Sequence, residues 1–343
     1  MIGGTDMYEY TPWATKVLSR ILAITSDVLP ILDIQFGGAC NLNCIYCDTP
    51  KYHAPCSLDV DAIEKIISNG NILWVYACGL GEPTAIGNME TFKQILKISQ
   101  KNQVKVSVFS NILNLDDDIL NFIDNGTLNV LFKLDSFSSK VVEYLYGKDV
   151  SETILNNYQK LKEVTHIENG TTNLGASIVP TKANFKEIYK IVDYCMDNDI
   201  FPLLGQLENA GRCSSIYEDL ELKEPELIVL RNYISQKYNI EYEIPVCPAT
   251  ISSIHITNTN KVIVDEKTGL SCAWFWMEDP KMVELADIRD ISTAEILSKI
   301  IEYRKEKFSD VVEIAQNLSN NTFGGCGGDA KTLLTKYIDI VNY

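Results

Sequence analysis

Basic residues are scarce in this chain, and those present do not cluster. Thirty Lys and Arg stand against 46 Asp and Glu, with three His, giving a formal net charge of −16 over 343 residues. A protein that grips phosphate backbones presents a concentrated cationic face, so nucleic acid is not expected as a partner. Long apolar runs are also missing. No stretch approaches the ~20 residues of a membrane-spanning helix, so no membrane partner is expected. The first ten residues carry acids and no basic n-region, which argues against a secretory signal peptide and for a cytoplasmic protein. No internal repeat or low-complexity linker interrupts the chain. At 46% hydrophobic residues, it can fill one large domain, or a large one and a small one. The acidic balance suits a small-molecule or peptide substrate, a basic one included, and solubility explains it equally well.

Cysteine, by contrast, is plentiful, with ten residues. Disulfides are rarely stable in a reducing compartment, where clustered cysteines more often hold metal or do redox chemistry. Their positions must therefore be explained one by one.

From residue 30 to about 240, short apolar segments alternate with helical periodicity. Strands are expected at Ile31–Phe36, Leu73–Ala77, Val104–Phe109, Val130–Leu134, Leu174–Val179 and Pro202–Leu207. Helices are expected at 59–69, 88–101, 116–123, 151–164, 184–197 and 224–237. In the fifth of these, Ile188, Ile191, Val192 and Cys195 share one face, and Asn184 is placed to cap its start. Six strand–helix repeats imply an α/β fold with a parallel sheet, whose strand-exit loops carry the chemistry. The character changes near residue 242. Ile254–Val264 reads as a hairpin around a Thr-Asn turn, residues 290–305 as a helix, and Cys326 lies in a GGCGG run. The expected division is an N-terminal helical segment (1–29), an α/β body (30–241) and a C-terminal extension (242–343).

The first strand is followed by GGACNLNCIYCDTP, in which Cys40, Cys44 and Cys47 are spaced C-x3-C-x2-C. A structural zinc site wants four protein ligands, and His53 is the candidate to complete one. Three thiolates in one tight loop instead suit a four-iron cluster with one iron left for an outside ligand. The pattern, with Tyr46 as the aromatic before the last cysteine, resembles the radical S-adenosylmethionine (SAM) superfamily. The resemblance implies a partial (β/α)6 TIM-like barrel and a [4Fe-4S] cluster whose open iron is chelated by SAM. It also implies one-electron cleavage of SAM to methionine and a 5′-deoxyadenosyl radical that abstracts a substrate hydrogen.

After the second strand comes Gly79-Leu80-Gly81-Glu82-Pro83. Glycines let backbone approach a ligand, and a carboxylate can receive an ammonium group. Alone this is a weak signal, since a Gly-Pro turn is the plain alternative; one strand after the cysteine loop, it resembles the family's segment that binds the SAM amino group. Ser110 and Asn111 end the third strand, where relatives carry a polar pair near SAM. Lys133, Asp135 and Ser136 close the fourth and resemble a segment lining the substrate side. For both sets, strand-end turn residues are an equal alternative. Ser177, on the fifth strand, reaches the SAM ribose on one reading and is buried by alternation on the other.

Four further cysteines lie beyond the sixth strand: Cys213, Cys247, Cys272 and Cys326. Cys247 and Cys272 flank the expected hairpin, and this pattern resembles the SPASM and twitch extensions of radical SAM enzymes. The GR pair before Cys213 resembles the sixth-strand exit of those relatives. A full SPASM domain holds two clusters on about seven cysteines, more than this region offers. One auxiliary [4Fe-4S] cluster is therefore expected on Cys247, Cys272 and Cys326, with Cys213 either its fourth ligand or a thiol that donates a hydrogen atom. Ordinary buried cysteines are the plain alternative. Cys195 is expected in the core, Cys78 faces the barrel mouth or packs, and Cys56 has no clear role.

Relatives with such an extension modify ribosomally made peptides (RiPP maturation by epimerisation, thioether or carbon–carbon cross-linking) or oxidise alcohols on proteins and aminoglycosides. Peptide modification is the leading expectation. A sugar or aminocyclitol dehydrogenase or epimerase is the second, and a non-catalytic iron–sulfur or zinc scaffold the third. The family chemistry implies a flavodoxin- or ferredoxin-type electron donor. In the first 29 residues, Trp13, Leu18, Ile21 and Leu22 either dock a leader peptide or cap the barrel.

Overall fold

A computed structural model describes residues 29–47, 49, 56–168, 171–205, 207–238, 253–271, 281–307 and 309. Cys247, Cys272, Cys326, His53 and the expected helix near the N-terminus lie outside the described residues.

Six parallel strands form the body: β1 (Ile31–Gln35), β2 (Trp74–Cys78), β3 (Lys105–Ser110), β4 (Leu128–Lys133), β7 (Leu174–Ile178) and β8 (Phe201–Leu204). They stand side by side in chain order, interrupted in sequence only by the small hairpin β5 (Ile167–Glu168) and β6 (Thr171–Thr172). Helices cross between them: α1 (Val60–Asn69), α2 (Ile86–Lys101), α3 (Asp117–Asp124), α4 (Ser139–Tyr146), α5 (Ser151–Val164) and α6 (Phe185–Asp197). The short α7 (Tyr217–Leu220) and the longer α8 (Glu224–Tyr238) follow β8. This is the α/β arrangement of a partial TIM-like barrel: the repeat pattern implied its parallel sheet, and the radical SAM resemblance implied the barrel. Helices α4 and α7 were not anticipated.

The core forms where the sheet meets the helices. Leu32, Ile34, Val75, Ala77, Val106 and Val108 are buried at alternate strand positions. Ala62, Ile63, Ile66 and Ile67 of α1 are buried as well, at the spacing of one helix face. Each fully buried Ile or Val side chain contributes ~1.5–3 kcal/mol. Asp59 and Asp116 cap α1 and α3 by accepting the N–H groups of Ala62 (2.9 Å) and Ile119 (3.1 Å). Asn184 does not cap α6 with its side chain, contrary to expectation. Its Oδ1 accepts Thr181 N–H (2.8 Å), and its Nδ2 donates to the carbonyls of Asp135 (3.0 Å) and Val179 (2.9 Å). The Asp135 carbonyl is buried and that of Val179 half-buried, and satisfying both claims the amide.

The expected hairpin is present as β9 (Ser253–Ile256) and β10 (Lys261–Asp265), joined by β11 (Met282–Asp287) and followed by α9 (Thr293–Glu306). Strand β9 extends the main sheet by pairing parallel to β1, with Asp33 opposite His255. Both side chains are buried, and His255 Nδ1 lies 2.6 Å from Asp33 Oδ2. The β9–β10 turn reaches the strand-exit side of the sheet, where the Asn258 carbonyl accepts Ser57 N–H (2.9 Å) and Asn260 Oδ1 accepts Asp59 N–H (2.6 Å). Among the described residues, no helix is long and apolar enough to cross a membrane.

Candidate active site at the strand exits

Parallel strands deliver all their exit loops to one end of the sheet, so motifs far apart in sequence meet there. The loop after β1 carries the three cysteines. Cys40 is exposed, Cys44 buried and Cys47 half-buried. Two backbone bonds tie this loop to the end of α4, from Asn43 N–H to the Tyr146 carbonyl (3.1 Å) and from Ile45 N–H to that of Leu145 (2.9 Å). A third attachment comes from the exit of β8. There the N–H groups of Arg212 (3.0 Å) and Cys213 (3.3 Å) both donate to the Cys47 carbonyl, and the Arg212 guanidinium donates to Asn43 Oδ1. Thr49 Oγ1 lies 2.9 Å from Cys47 Sγ, where its hydroxyl can donate to a thiolate.

The second motif packs directly on the first. Glu82 N–H donates to the Ala39 carbonyl (2.8 Å), and a Cβ built on Gly81 would stand 2.8 Å from that same oxygen. Gly79 has φ +106°, a conformation that side chains rarely adopt. Glu82 itself is buried. Its Oε1 accepts from Thr84 N–H (3.0 Å), Thr84 Oγ1 (2.8 Å) and Ser110 Oγ (2.8 Å), and its Oε2 accepts from Asn111 N–H (2.8 Å). Burial pushes the Glu82 carboxyl pKa up, against these donors, which favour the ionised form. Ser110 and Asn111 thus serve as a cradle for Glu82, and Asn111 Nδ2 also donates to Asn41 Oδ1 (2.6 Å) in the cysteine loop. Pro83 is buried beside them.

Tyr46 points into a buried polar knot. Its hydroxyl donates to Asp135 Oδ2, which also accepts Tyr146 OH (2.8 Å), while Asp135 Oδ1 accepts Val179 N–H (2.6 Å). Lys133 Nζ sits 3.5 Å from Asp135 Oδ2 and lies over the rings of Tyr46 (4.5 Å) and Tyr146 (5.3 Å). Burial disfavours the Lys133 ammonium, but Asp135, Cys44 and Cys47 outweigh it and hold its pKa above the ordinary value. Burial likewise pushes the Cys44 thiol up to about 12, with Lys133 the main opposing charge. Ser136 turns away, donating to Glu187 Oε2 (2.8 Å) on α6. Ser177 is half-buried on β7, opposite Lys133 in register.

Cys213 is fully buried at the start of a short 3-10 turn, next to the cysteine loop. Cys195 lies in the core, where burial raises its pKa. Arg212 belongs to the Gly-Arg pair noted before Cys213, whereas Asn41, Asn43, Thr49 and Thr84 were not anticipated as part of the site. Single polar residues in loops leave no periodic signal.

The residues present fit a cubane cluster. Such a cluster takes one thiolate per iron, and this loop brings three free cysteines together. The backbone clamps on the loop and the hydroxyl beside Cys47 supply the outer support that such a site needs.

The chain has no match among curated proteins. In structure it is similar to Streptococcus suis SuiB bound to precursor peptide SuiA, at 16% identity and a TM-score of 0.58, over 79% of this chain and 65% of that one. It is also similar to anSMEcpe with bound AdoMet and Cp18Cys peptide, at 14% identity and a TM-score of 0.58, over 91% and 96% of the two chains. The chain therefore spans slightly less than two thirds of SuiB's length, and at these identities the likeness is one of fold. Residues 34–198 match the Radical SAM superfamily model. With the three-cysteine loop, the Gly-Glu-Pro segment and the parallel strands falling inside or beside that span, the chain carries a radical SAM domain.

Proposed function

We propose that this protein is a radical SAM oxidoreductase that modifies a ribosomally synthesised peptide. The observation that carries the SAM chemistry is Glu82, a buried carboxylate fastened by four donor contacts and anchored by its own N–H to the cysteine loop. Cys40, Cys44 and Cys47 would hold a [4Fe-4S] cluster, and Glu82 would receive the SAM ammonium. When bound, the cluster supplies the electron that splits SAM into methionine and the 5′-deoxyadenosyl radical. The polypeptide's task is then to orient SAM, keep water out and place one substrate C–H bond beside the radical. Tyr46, Gly79, Gly81 and Pro83 shape that side of the site. Ser110 and Asn111 act through Glu82, and Ser177 would reach the SAM ribose.

Peptide is favoured as substrate by the fold shared with SuiB and anSMEcpe, which were each captured with a peptide. The net charge of −16 adds attraction for a basic segment. In this reading, the C-terminal region forms a SPASM- or twitch-like extension with one auxiliary [4Fe-4S] cluster on Cys247, Cys272 and Cys326. Cys213 is the hydrogen donor of an epimerisation. It gives H• to the substrate carbon radical, and the thiyl left behind returns to the thiol by taking one electron from the flavodoxin- or ferredoxin-type donor in the cytoplasm and one proton from solvent. The competing role, fourth ligand to the auxiliary cluster, is separated by counting iron in Cys213→Ala.

The test incubates anaerobically reconstituted enzyme, SAM and reductant with the peptide encoded beside its gene. Deuterium uptake from heavy water into one residue is the expected result. A two-dalton mass loss would move the reaction to cross-linking or oxidation, and SAM cleavage with an unchanged peptide would reject a peptide substrate.

A further inference from the structure

One strong charge at the site is unused by the function above. Lys133, the last residue of β4, is partly buried and carries its ammonium over the face of Tyr46, the residue just before Cys47 in the loop. Its counter-ion, Asp135, is committed elsewhere as well. That carboxylate also takes two tyrosine hydroxyls and the Val179 N–H, so it is fixed in place whether or not the lysine is there. The result is a rigid cation–anion pair beneath the cysteine loop, with the cation stacked on the loop's own aromatic ring.

A four-iron cluster on three thiolates gains one negative charge on reduction. A fixed cation near the sulfurs stabilises the reduced form more than the oxidised form and raises the potential; a fixed anion lowers it. Little water reaches Lys133 or Asp135 to screen either effect, since their side chains are 19% and 0% exposed. We infer that Lys133 sets the reduction potential of the cluster held by Cys40, Cys44 and Cys47, with Asp135 as its counterweight. This rests on the radical SAM reading above and deepens it: the pair determines how strong an electron donor the enzyme needs. Lys133 is a positioning charge in this account, acting through the sulfurs and touching neither SAM nor substrate.

The test measures the midpoint potential of the SAM-free cluster by EPR-monitored redox titration, with iron and sulfide counted in each variant. To isolate this cluster, the titration is made in a background with Cys247, Cys272 and Cys326 changed to Ala. Lys133→Met is expected to lower the midpoint, Lys133→Arg to restore it, and Asp135→Asn to shift it upward. Opposite shifts from neighbouring residues are not what simple loosening of the loop produces. An unchanged midpoint in Lys133→Met, or a fall in both neutral variants, overturns the inference. A normal midpoint with weakened SAM binding also overturns it, making Lys133 a SAM contact. If the wild-type protein takes up no four-iron cluster on these cysteines, the radical SAM reading fails first and the inference falls with it.

Discussion

Oε2 of Glu82 accepts the backbone N–H of Asn111 at 2.8 Å, joining the exit of β2 to the exit of β3 across a buried contact. The carboxylate is thus part of the scaffold, and substitution separates that role from the proposed one of binding SAM.

Glu82→Gln keeps the size of the side chain and removes its charge. SAM affinity is expected to fall at least ~10-fold, the equivalent of about 1.4 kcal/mol and within the range of a hydrogen bond to a charged group. Iron content should stay at the wild-type level, because no thiolate is touched. Calorimetry with anaerobic protein reads the first and chemical iron assay the second. Wild-type SAM affinity in this variant would remove Glu82 from the binding site.

Gly81→Ala asks whether the two loops must touch. The added Cβ would meet the carbonyls of Ala39 at 2.8 Å and of Gly37 and Phe36 at 3.1 Å, all backbone atoms that cannot swing aside. The cysteine loop should be displaced, with bound iron reduced by half or more and a stability loss of ~1–3 kcal/mol typical of overpacking. Full iron loading and an unchanged melting temperature would show that the contact is dispensable.

Asp287 predicts an acid-sensitive step. Hydrogen bonds from Arg289 hold its carboxyl well below the usual carboxylate range, and Lys261 lies 3.1 Å away. A lowered folded-state pKa contributes stability that is complete above the unfolded value near ~3.9 and lost as pH falls through the folded value. Asp287→Asn should therefore cost about 1 kcal/mol at neutral pH, and the gap from wild type should close below pH ~4. Urea unfolding across pH measures it. A gap that stays constant to acid pH would mean that the pairing contributes nothing.

The local signals were legible because they are local. Cys40, Cys44 and Cys47 fall within one loop, and their spacing alone restricts what they can bind. The alternation of Leu32, Ile34, Val75 and Ala77 marks strands buried on a helix-covered face. Asn184 shows the limit: its sequence position suits a cap, but the packed loops around Asp135 and Val179 claimed its amide. Nothing in residues 139–146 indicated that this helix would hold the cysteine loop through its last two carbonyls. Such backbone bonds are independent of side-chain identity.

The sequence by itself therefore determined the three-cysteine spacing, the strand–helix alternation and the Gly-Glu-Pro turn, each specified by covalent spacing or by period. Only the tertiary structure decided that Tyr46 meets Asp135 across 89 positions, that Arg212 clasps Asn43 across 169, and that β9 lies beside β1. These contacts depend on strand order and register. Hydrophobic periodicity tells a strand which face to bury, and leaves open which neighbour it will lie against.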